Sequence, residues 1–257
     1  KYLEDLGLLG RMDAFEAIHQ PNSMSDVLEA RDRLVLDELL RVQLVLRMRK
    51  MRRLNQASGV KHQVDSALLT KFVEGLPFAL TGAQQKTMSE ISVDLKSEQP
   101  MHRLLQGDVG SGKTLVAMYA LLIAVTEGHQ GALMAPTEVL AEQHYLNLVE
   151  LAKGLEVEDQ STLTGARPIS VKLLTNRVTG SDRRRVVQGM EEGSVDLVIG
   201  THALIQEGIR FSSLSVVVVD EQHRFGVEQR SVLRERGRDD GKWPHLLVMT
   251  ATPIPRT

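Results

Sequence analysis

The chain has 257 residues, 42% of them apolar and 25% charged, with no cysteine and a formal net charge of −2. That length and apolar content suffice for one large domain with a helical extension, and the absence of cysteine excludes a disulfide framework and any Cys-ligated zinc site. Near-neutral charge excludes a generic polyanion binder, so contact with nucleic acid has to come from local patches or from backbone N–H groups.

From Ser25 to Leu54 there is neither Gly nor Pro, and apolar residues recur at Leu28, Leu36, Leu39, Leu40, Leu44, Val45, Met48 and Met51. The spacing predicts a long helix, ~45 Å for thirty residues, with Ser25 as its N-cap. It ends in a basic run, Arg47, Arg49, Lys50, Arg52 and Arg53, before Asn55, Ser58 and Gly59 break it. The run suits either a phosphate backbone or a neighbouring domain. Residues 1–59 therefore read as a helical extension and 60–257 as a second domain.

In the second part, short apolar runs alternate with helical stretches. The runs are Met101–Gln106, Ala132–Ala135, Val171–Leu174, Val195–Ile199, Val216–Val219 and Leu246–Met249, and the helices fall near 114–127, 138–153, 182–192 and 227–236. Such alternation predicts an α/β domain with a mainly parallel sheet between helices, whose ligand site lies at the carboxyl ends of the strands. The stretch from Glu156 to Pro168 reads as a polar surface loop, and Arg183-Arg184-Arg185 as a solvated helix face. The longest apolar run, Leu115 to Val125, is too short to span a bilayer, and no signal peptide is visible. A cytoplasmic protein with no membrane partner is expected. A start at Lys1 without Met, and an end at Arg256-Thr257 just after a motif, suggest a segment of something longer.

Before the first strand, Phe78-Ala79-Leu80-Thr81-Gly82-Ala83-Gln84 leads into a helix. The Gln84 amide can both donate to and accept from an adenine edge, and Thr81 is a good N-cap, so the segment serves either purpose or both. After that strand, Gly107-Asp108-Val109-Gly110-Ser111-Gly112-Lys113-Thr114 fits G-x-x-x-x-G-K-[ST]. Gly107, Gly110 and Gly112 let the backbone wrap phosphate oxygens with N–H groups inward, Ser111 included. Lys113 reaches the β- and γ-phosphates of ATP, and Thr114 holds Mg²⁺. The strand Val216–Val219 delivers Asp220 and Glu221 to the same edge. Asp220 suits a second Mg²⁺ anchor, and Glu221 a general base for the attacking water. Thr250-Ala251-Thr252 follows the last strand and, third in this order, reads as the element coupling nucleotide to nucleic acid. No spacing of the eight histidines resembles a zinc site, and the sparse aromatic residues give no base-stacking surface.

The strings LPFALTGAQ (76–84), LLQGDVGSGKT (104–114), MAPTEVLAEQH (134–144), VIGTHALIQ (198–206), VVDEQHRFGVEQR (218–230) and MTATPIPRT (249–257) resemble superfamily 2 helicases in their first RecA-like lobe. Within that superfamily they resemble the RecG family of branched-DNA helicases. LDELLRVQLVLRMRK (36–50) is similar to the helix that precedes the motor in that family. The resemblance implies a RecA-like P-loop NTPase domain that uses ATP and Mg²⁺ to remodel forks and four-way junctions in DNA repair and recombination. It implies that Phe78 joins Gln84 on adenine, that Pro136, Thr137 and Thr201 touch the DNA backbone, and that Gln222, His223, Thr250, Ala251 and Thr252 relay nucleotide state. The family's Thr-Gly element after the third strand corresponds here to Thr175-Asn176, where Asn tolerates a left-handed turn, and Thr164-Gly165 is a less apt match. A second motor lobe with an arginine finger and an upstream wedge domain are implied partners in a monomeric full-length protein, so this chain alone is expected to turn ATP over poorly. The stretch Arg224-Phe225-Gly226 and the end Pro253 to Thr257 are shared with the transcription-repair coupling translocase, which is the alternative reading within the class. Outside it stand a small-molecule phosphotransferase and a non-catalytic nucleotide-binding module.

Overall fold

The computed structural model describes residues 7–56, 58–159, 162, 165–221 and 242–251, with 49–56 as backbone only. It divides into two compact units, 1–56 and 57–257. Ser58 and Gly59, placed with the extension by sequence, pair as strand β1 (Ser58–Gly59) in parallel with β9 (Lys242–Trp243), which puts them in the second unit.

The first unit is two helices, α1 (Arg11–His19) and α2 (Met24–Gln56). The cap of α2 is Ser23 rather than Ser25. Asp26 N–H donates to Ser23 Oγ at 3.3 Å, and Ser23 N–H donates back to Asp26 Oδ2 at 3.1 Å. The carboxylate three residues on decides between the two serines, because only Ser23 has that reciprocal partner. Ala14 of α1 and Ala30 of α2 are fully buried, small enough to let helices approach closely. Arg33, also buried, is neutralised by Asp37 one turn on, and Asp37 in turn lies 3.6 Å from Arg11. Leu39, Leu40, Leu44, Val45 and Met48, predicted as an apolar stripe, are exposed.

The second unit is built on a six-stranded parallel sheet in the order β2-β10-β8-β3-β7-β6. Its strands are β2 (His102–Gln106), β3 (Gln130–Met134), β6 (Val171–Leu174), β7 (Leu197–Gly200), β8 (Leu214–Asp220) and β10 (His245–Thr250). Between them run α3 (Ala67–Glu74), α4 (Gly82–Leu95), α5 (Lys113–Val125), α6 (Glu138–Leu151) and α7 (Gly180–Glu192). The core splits by the two-residue period of the strands. Val216 and Val218 join one buried cluster with α4, α5 and α6, whereas Val217 and Val219 join the other with Met190 of α7 and Leu204. Covering both faces is what lets β8 be buried along its whole length. The Leu115–Val125 run is α5, apolar on every side because every side is covered. No helix among the described residues is long and apolar enough to cross a membrane.

Two further readings of the sequence change. Glu156 to Pro168 is not merely a loop, since β4 (Glu156–Glu158) and β5 (Ala166–Pro168) pair antiparallel. Arg167 holds this hairpin down: its guanidinium donates to both carboxylate oxygens of Asp196 at 2.6 and 2.7 Å, and its Nε lies 3.1 Å from Asp159. A bidentate pair between residues 29 apart has no local sequence signature. Asn176, expected to adopt a left-handed turn, does not: Glu221 is the positive-φ residue other than Gly among those described. The Asn176 side chain instead meets His202 Nε2 at 3.1 Å and accepts from Gln206 at 3.2 Å. The helix expected near 227–236 lies outside the described residues.

Candidate active site

Parallel register fixes which residues meet at the carboxyl edge. Thr250 pairs with Gln106 and Met249 with Asp220, while Val219 pairs with Met134, Met134 with Gly200, and Gly200 with Leu174. The residues that follow each strand therefore form one row: the 107–112 loop after β2, Ala251 after β10, Glu221 after β8, Ala135 to Thr137 after β3, Thr201 after β7 and Thr175 after β6. Every candidate residue that follows one of these strands and is described lies in this row.

The 107–112 loop turns through Gly110 and Gly112, at φ 82° and 85°, both left-handed and both open to glycine at little cost. Gly107 leaves room for the Ser111 hydroxyl, which a Cβ would meet at 2.6 Å. Lys113, the first residue of α5, folds back so that its Nζ donates to Gly107 O at 2.7 Å and Asp108 O at 2.8 Å. The ammonium thus sits over the loop whose N–H groups and helix N-terminus suit an anion. Thr114 is half-buried in the first turn of α5. Gln84 takes the capping role of the two that the sequence offered it. Its Oε1 accepts from Thr81 N–H at 2.9 Å while Thr81 Oγ1 accepts from Gln84 N–H at 3.2 Å, closing a capping box. Its Nε2 donates to Ser111 O at 3.0 Å, which ties the start of α4 directly to the phosphate loop. Phe78 is exposed.

Asp220 is buried, and His144 Nε2 lies 2.7 Å from its Oδ2. His144 was not singled out from the sequence. It sits on α6, 76 residues before its partner, and only the fold brings the two together. Its Nδ1 is buried with no hydrogen-bond partner. Glu221 has φ 52°. It is held there by its N–H donating to Met249 O at 2.9 Å, and its Oε1 accepts from Ala251 N–H at 3.3 Å. A non-glycine residue in the left-handed region, kept there by surrounding bonds, is backbone strain at the place where chemistry is expected. Thr250 is buried at the end of β10, and its carbonyl accepts from Gly107 N–H at 3.3 Å, a bond that carries the last strand into the loop.

The loops expected to meet DNA are linked to one another. Thr137 caps α6 through Leu140 N–H at 3.3 Å and stays exposed beside half-buried Pro136. Thr175 and Thr201 are buried, with their hydroxyls accepting from Arg177 N–H at 3.3 Å and Ala203 N–H at 3.5 Å. They shape their own turns, and the exposed polar groups of these loops are Asn176, Arg177 and His202. Arg177 spans to α6, its Nε 2.7 Å from Glu138 and its Nη1 3.3 Å from Glu142. Arg183 donates to Gln206 at 3.0 Å, and Arg185 forms a surface pair with Asp182 at 3.7 Å. Gln222, His223, Arg224 to Gly226, Thr252 to Thr257 and Thr164 lie outside the described residues, as do the side chains of Arg49, Lys50, Arg52 and Arg53.

The oxygen donors fit a hard cation. Asp220 has one carboxylate oxygen on His144 and the other not so used, and Thr114 adds a hydroxyl at the head of α5, a set of the kind that takes Mg²⁺ with water and phosphate. Replacing His144 by Ala is expected to weaken Mn²⁺ binding in the presence of ADP by ~10-fold or more, since a partner that orients a ligating carboxylate is commonly worth that much. His144→Gln, which can still donate to Asp220, recovers part of it. Electron paramagnetic resonance of Mn²⁺ reads this directly, and an unchanged affinity in His144→Ala would detach the residue from the cation site.

A glycine-rich loop of the P-loop pattern at the end of one strand, with an acidic pair at the same edge of the parallel sheet two strands away, defines a P-loop nucleotide-binding domain of the RecA-like type. Residues 81–257 match the model of the DEAD/DEAH box helicase family, and the chain belongs to that family. Among curated proteins it is similar to the ATP-dependent DNA helicase RecG. Identity is 46% over 244 residues to that of Bacillus subtilis, covering 95% of this chain and 33% of that protein. It is 42% over 258 residues to that of Thermotoga maritima, covering 100% and 31%. The chain thus spans about a third of the RecG proteins it matches. Among solved structures, RecG bound to a three-way DNA junction superposes with a TM-score of 0.78 at 40% identity, covering 99% of this chain and 32% of that one. The helicase MrfA bound to DNA and AMPPNP superposes at a TM-score of 0.57 with 17% identity over 77% of this chain and 28% of that one, a likeness of fold alone.

Proposed function

We propose that the chain is the first motor lobe of an ATP-driven DNA helicase whose substrate is branched DNA. The observation that carries this is the row at the carboxyl edge, where one set of parallel registers brings together the phosphate loop, Asp220, Glu221 and the loops around 137, 176 and 202. A small-molecule phosphotransferase has no use for the second half of that row, and a non-catalytic module has none for Glu221.

In this reading the backbone N–H groups of 107–112 take the β- and γ-phosphates of ATP, and Lys113 leaves the Gly107 and Asp108 carbonyls for phosphate oxygens. Gln84, already bonded to Ser111 O, reads the adenine edge with Phe78 beside it. Thr114 and Asp220 hold Mg²⁺, which when bound offsets charge on the phosphates. Glu221 accepts a proton from the attacking water as the water oxygen bonds to the γ-phosphorus and the bond from that phosphorus to the β–γ bridging oxygen breaks, with ADP leaving. Thr137, Asn176, Arg177 and His202 meet the DNA backbone. Thr250, Ala251 and Thr252, with Gln222 and His223, report nucleotide state to that face. Helix α6 joins the two ends, since it begins at Thr137, carries the partners of Arg177 and holds Asp220 through His144. A second motor lobe supplies the arginine finger, and a wedge domain reads the branch.

The test is ATP hydrolysis by the full-length protein that carries this segment, with a three-way junction compared with linear duplex of the same length. Stimulation at least tenfold greater by the junction is expected. Equal stimulation by both would remove branched DNA as the substrate and favour a double-strand translocase of the transcription-repair coupling type. RecG bound to a three-way junction makes the first outcome the expected one.

A further inference from the structure

The loop that follows β6 places a cation where the DNA backbone is expected and then neutralises it. Residues 175–178 form a tight turn, with Val178 N–H donating to Thr175 O at 3.2 Å and Arg177 N–H to Thr175 Oγ1 at 3.3 Å. Thr175 is fully buried, so the backbone of Arg177 is anchored to the sheet edge, while its side chain is 65% exposed. The guanidinium crosses to α6. Its Nε lies 2.7 Å from Glu138 Oε2, and its Nη1 donates to Glu142 Oε1 at 3.3 Å. Residues four apart share a helix face, which is how two carboxylates of α6 reach one guanidinium.

Arg167 shows what a permanent pair looks like in this fold. Its side chain is 26% exposed, and it grips both oxygens of Asp196, a buried carboxylate. Such a bidentate pair is strong, and breaking it would leave a buried charge alone. Arg177 instead makes one contact to each of two partly exposed carboxylates. Exposed pairs of that kind are weak, so the guanidinium can change partners. One positive group between two negative ones also leaves the trio at a net charge of −1. A phosphate arriving there is repelled while both carboxylates stay, although the guanidinium still has N–H groups to offer.

We infer that Glu138 and Glu142 make Arg177 a gated phosphate ligand, released from α6 only by a phosphate that neighbouring contacts already hold in place. The inference rests on the reading that this edge of the sheet meets DNA. A free nucleotide or inorganic phosphate brings no neighbouring contacts and meets the net negative charge, so this face discriminates against it. A DNA backbone seated on the loops around 137 and 202 brings its phosphate to a fixed position. The charge-assisted pair with that phosphate then replaces the two with carboxylates, which turn to water. The two glutamates thereby set how firmly DNA must be engaged before the 175–178 loop joins in.

The experiment is equilibrium binding of a three-way junction by the full-length protein that carries this segment, without nucleotide, over a salt series from ~50 to ~200 mM. Arg177→Ala weakens binding about threefold or more and lowers the salt slope by ~0.9, the loss of about one phosphate contact. Glu138→Gln with Glu142→Gln keeps side-chain length and an oxygen that can accept from Arg177, removes both charges, and tightens binding about fivefold or more. The same pair placed on Arg177→Ala tightens it by less than about twofold, because the carboxylates act through the arginine. Equal tightening in the two backgrounds would mean that the glutamates merely repel DNA, and would overturn the gate while leaving Arg177 as a DNA contact. An unchanged affinity and salt slope in Arg177→Ala would overturn the gate together with the part of the proposed function that puts DNA at this loop. A Glu138→Gln, Glu142→Gln protein that melts lower and binds DNA no more tightly would make the pairs a structural staple, and would likewise overturn the gate.

Discussion

Replacing Glu221 by Gln is expected to lower DNA-stimulated ATP turnover of the motor by ~10³ while leaving nucleotide affinity within about twofold, the range over which positioned general bases act. The substitution is chosen so that structure does not move. Gln has the same length, its amide oxygen can still accept from Ala251 N–H, and it inherits the φ of 52° with no change in strain. What it lacks is the ability to take a proton from water. Phosphate release by the protein with both motor lobes, and fluorescent-nucleotide affinity for the same protein, separate the two quantities. Turnover within fivefold of wild type would remove Glu221 from the chemical step.

The second large effect is on stability. Gly200 closes β7 against Leu174 of β6, and a Cβ there meets Leu174 O at 2.2 Å and Leu204 Cγ at 2.9 Å. The first of these is backbone and cannot rotate away, so the strands must separate or the turn into Thr201 must shift. Gly200→Ala is expected to cost about 3 kcal/mol, in the upper range for overpacking. The matched control is Gly82→Ala, where a Cβ meets nothing within 4 Å in the first turn of α4. That change is neutral or stabilises by about 0.5 kcal/mol, since it removes unfolded-state freedom at a compatible position. Urea midpoints of the two variants check the pair, and equal midpoints would mean that the close approach of β6 and β7 is relaxed at no cost. Because Gly200 leads into Thr201, the damaged variant is also expected to lose DNA binding before it loses nucleotide binding.

Sheet and site were legible to different depths. Buried parallel strands announce themselves as short β-branched runs, and all six of the predicted runs are strands of the one sheet, with ends displaced by at most two residues. The phosphate loop and the acidic pair were legible because their chemistry is local: glycines at fixed offsets, a lysine at a helix start, two carboxylates at a strand end. What escaped depends on partners far along the chain. The hairpin within Glu156 to Pro168 is held by Arg167 on Asp196, and Asp220 by His144. Neither pairing leaves a trace in the spacing of nearby residues. Helix α3, only eight residues long, is stable through Leu69 and Phe72 packing into the core and through the Ser66 cap, since so short a helix does not stand on propensity. Helix α1 has Gly10 before it with no side-chain cap, so the usual start signal is missing. Thr175 and Thr201 show a different limit. Sequence placed them at the right edge of the sheet, and only coordinates show that their hydroxyls face their own loops.

In the proposed function this chain binds ATP at residues 107–114, with Lys113 moving from the loop carbonyls to the phosphates. Calorimetric titration of the chain with Mg-ATP, beside Lys113→Ala, tests it most directly. Saturable binding of one nucleotide by the chain is expected, with loss of that binding in the variant, whose fold is otherwise intact because Lys113 is not part of the buried core. Binding of Mg-ATP with equal affinity by the two proteins would contradict it and place the nucleotide elsewhere.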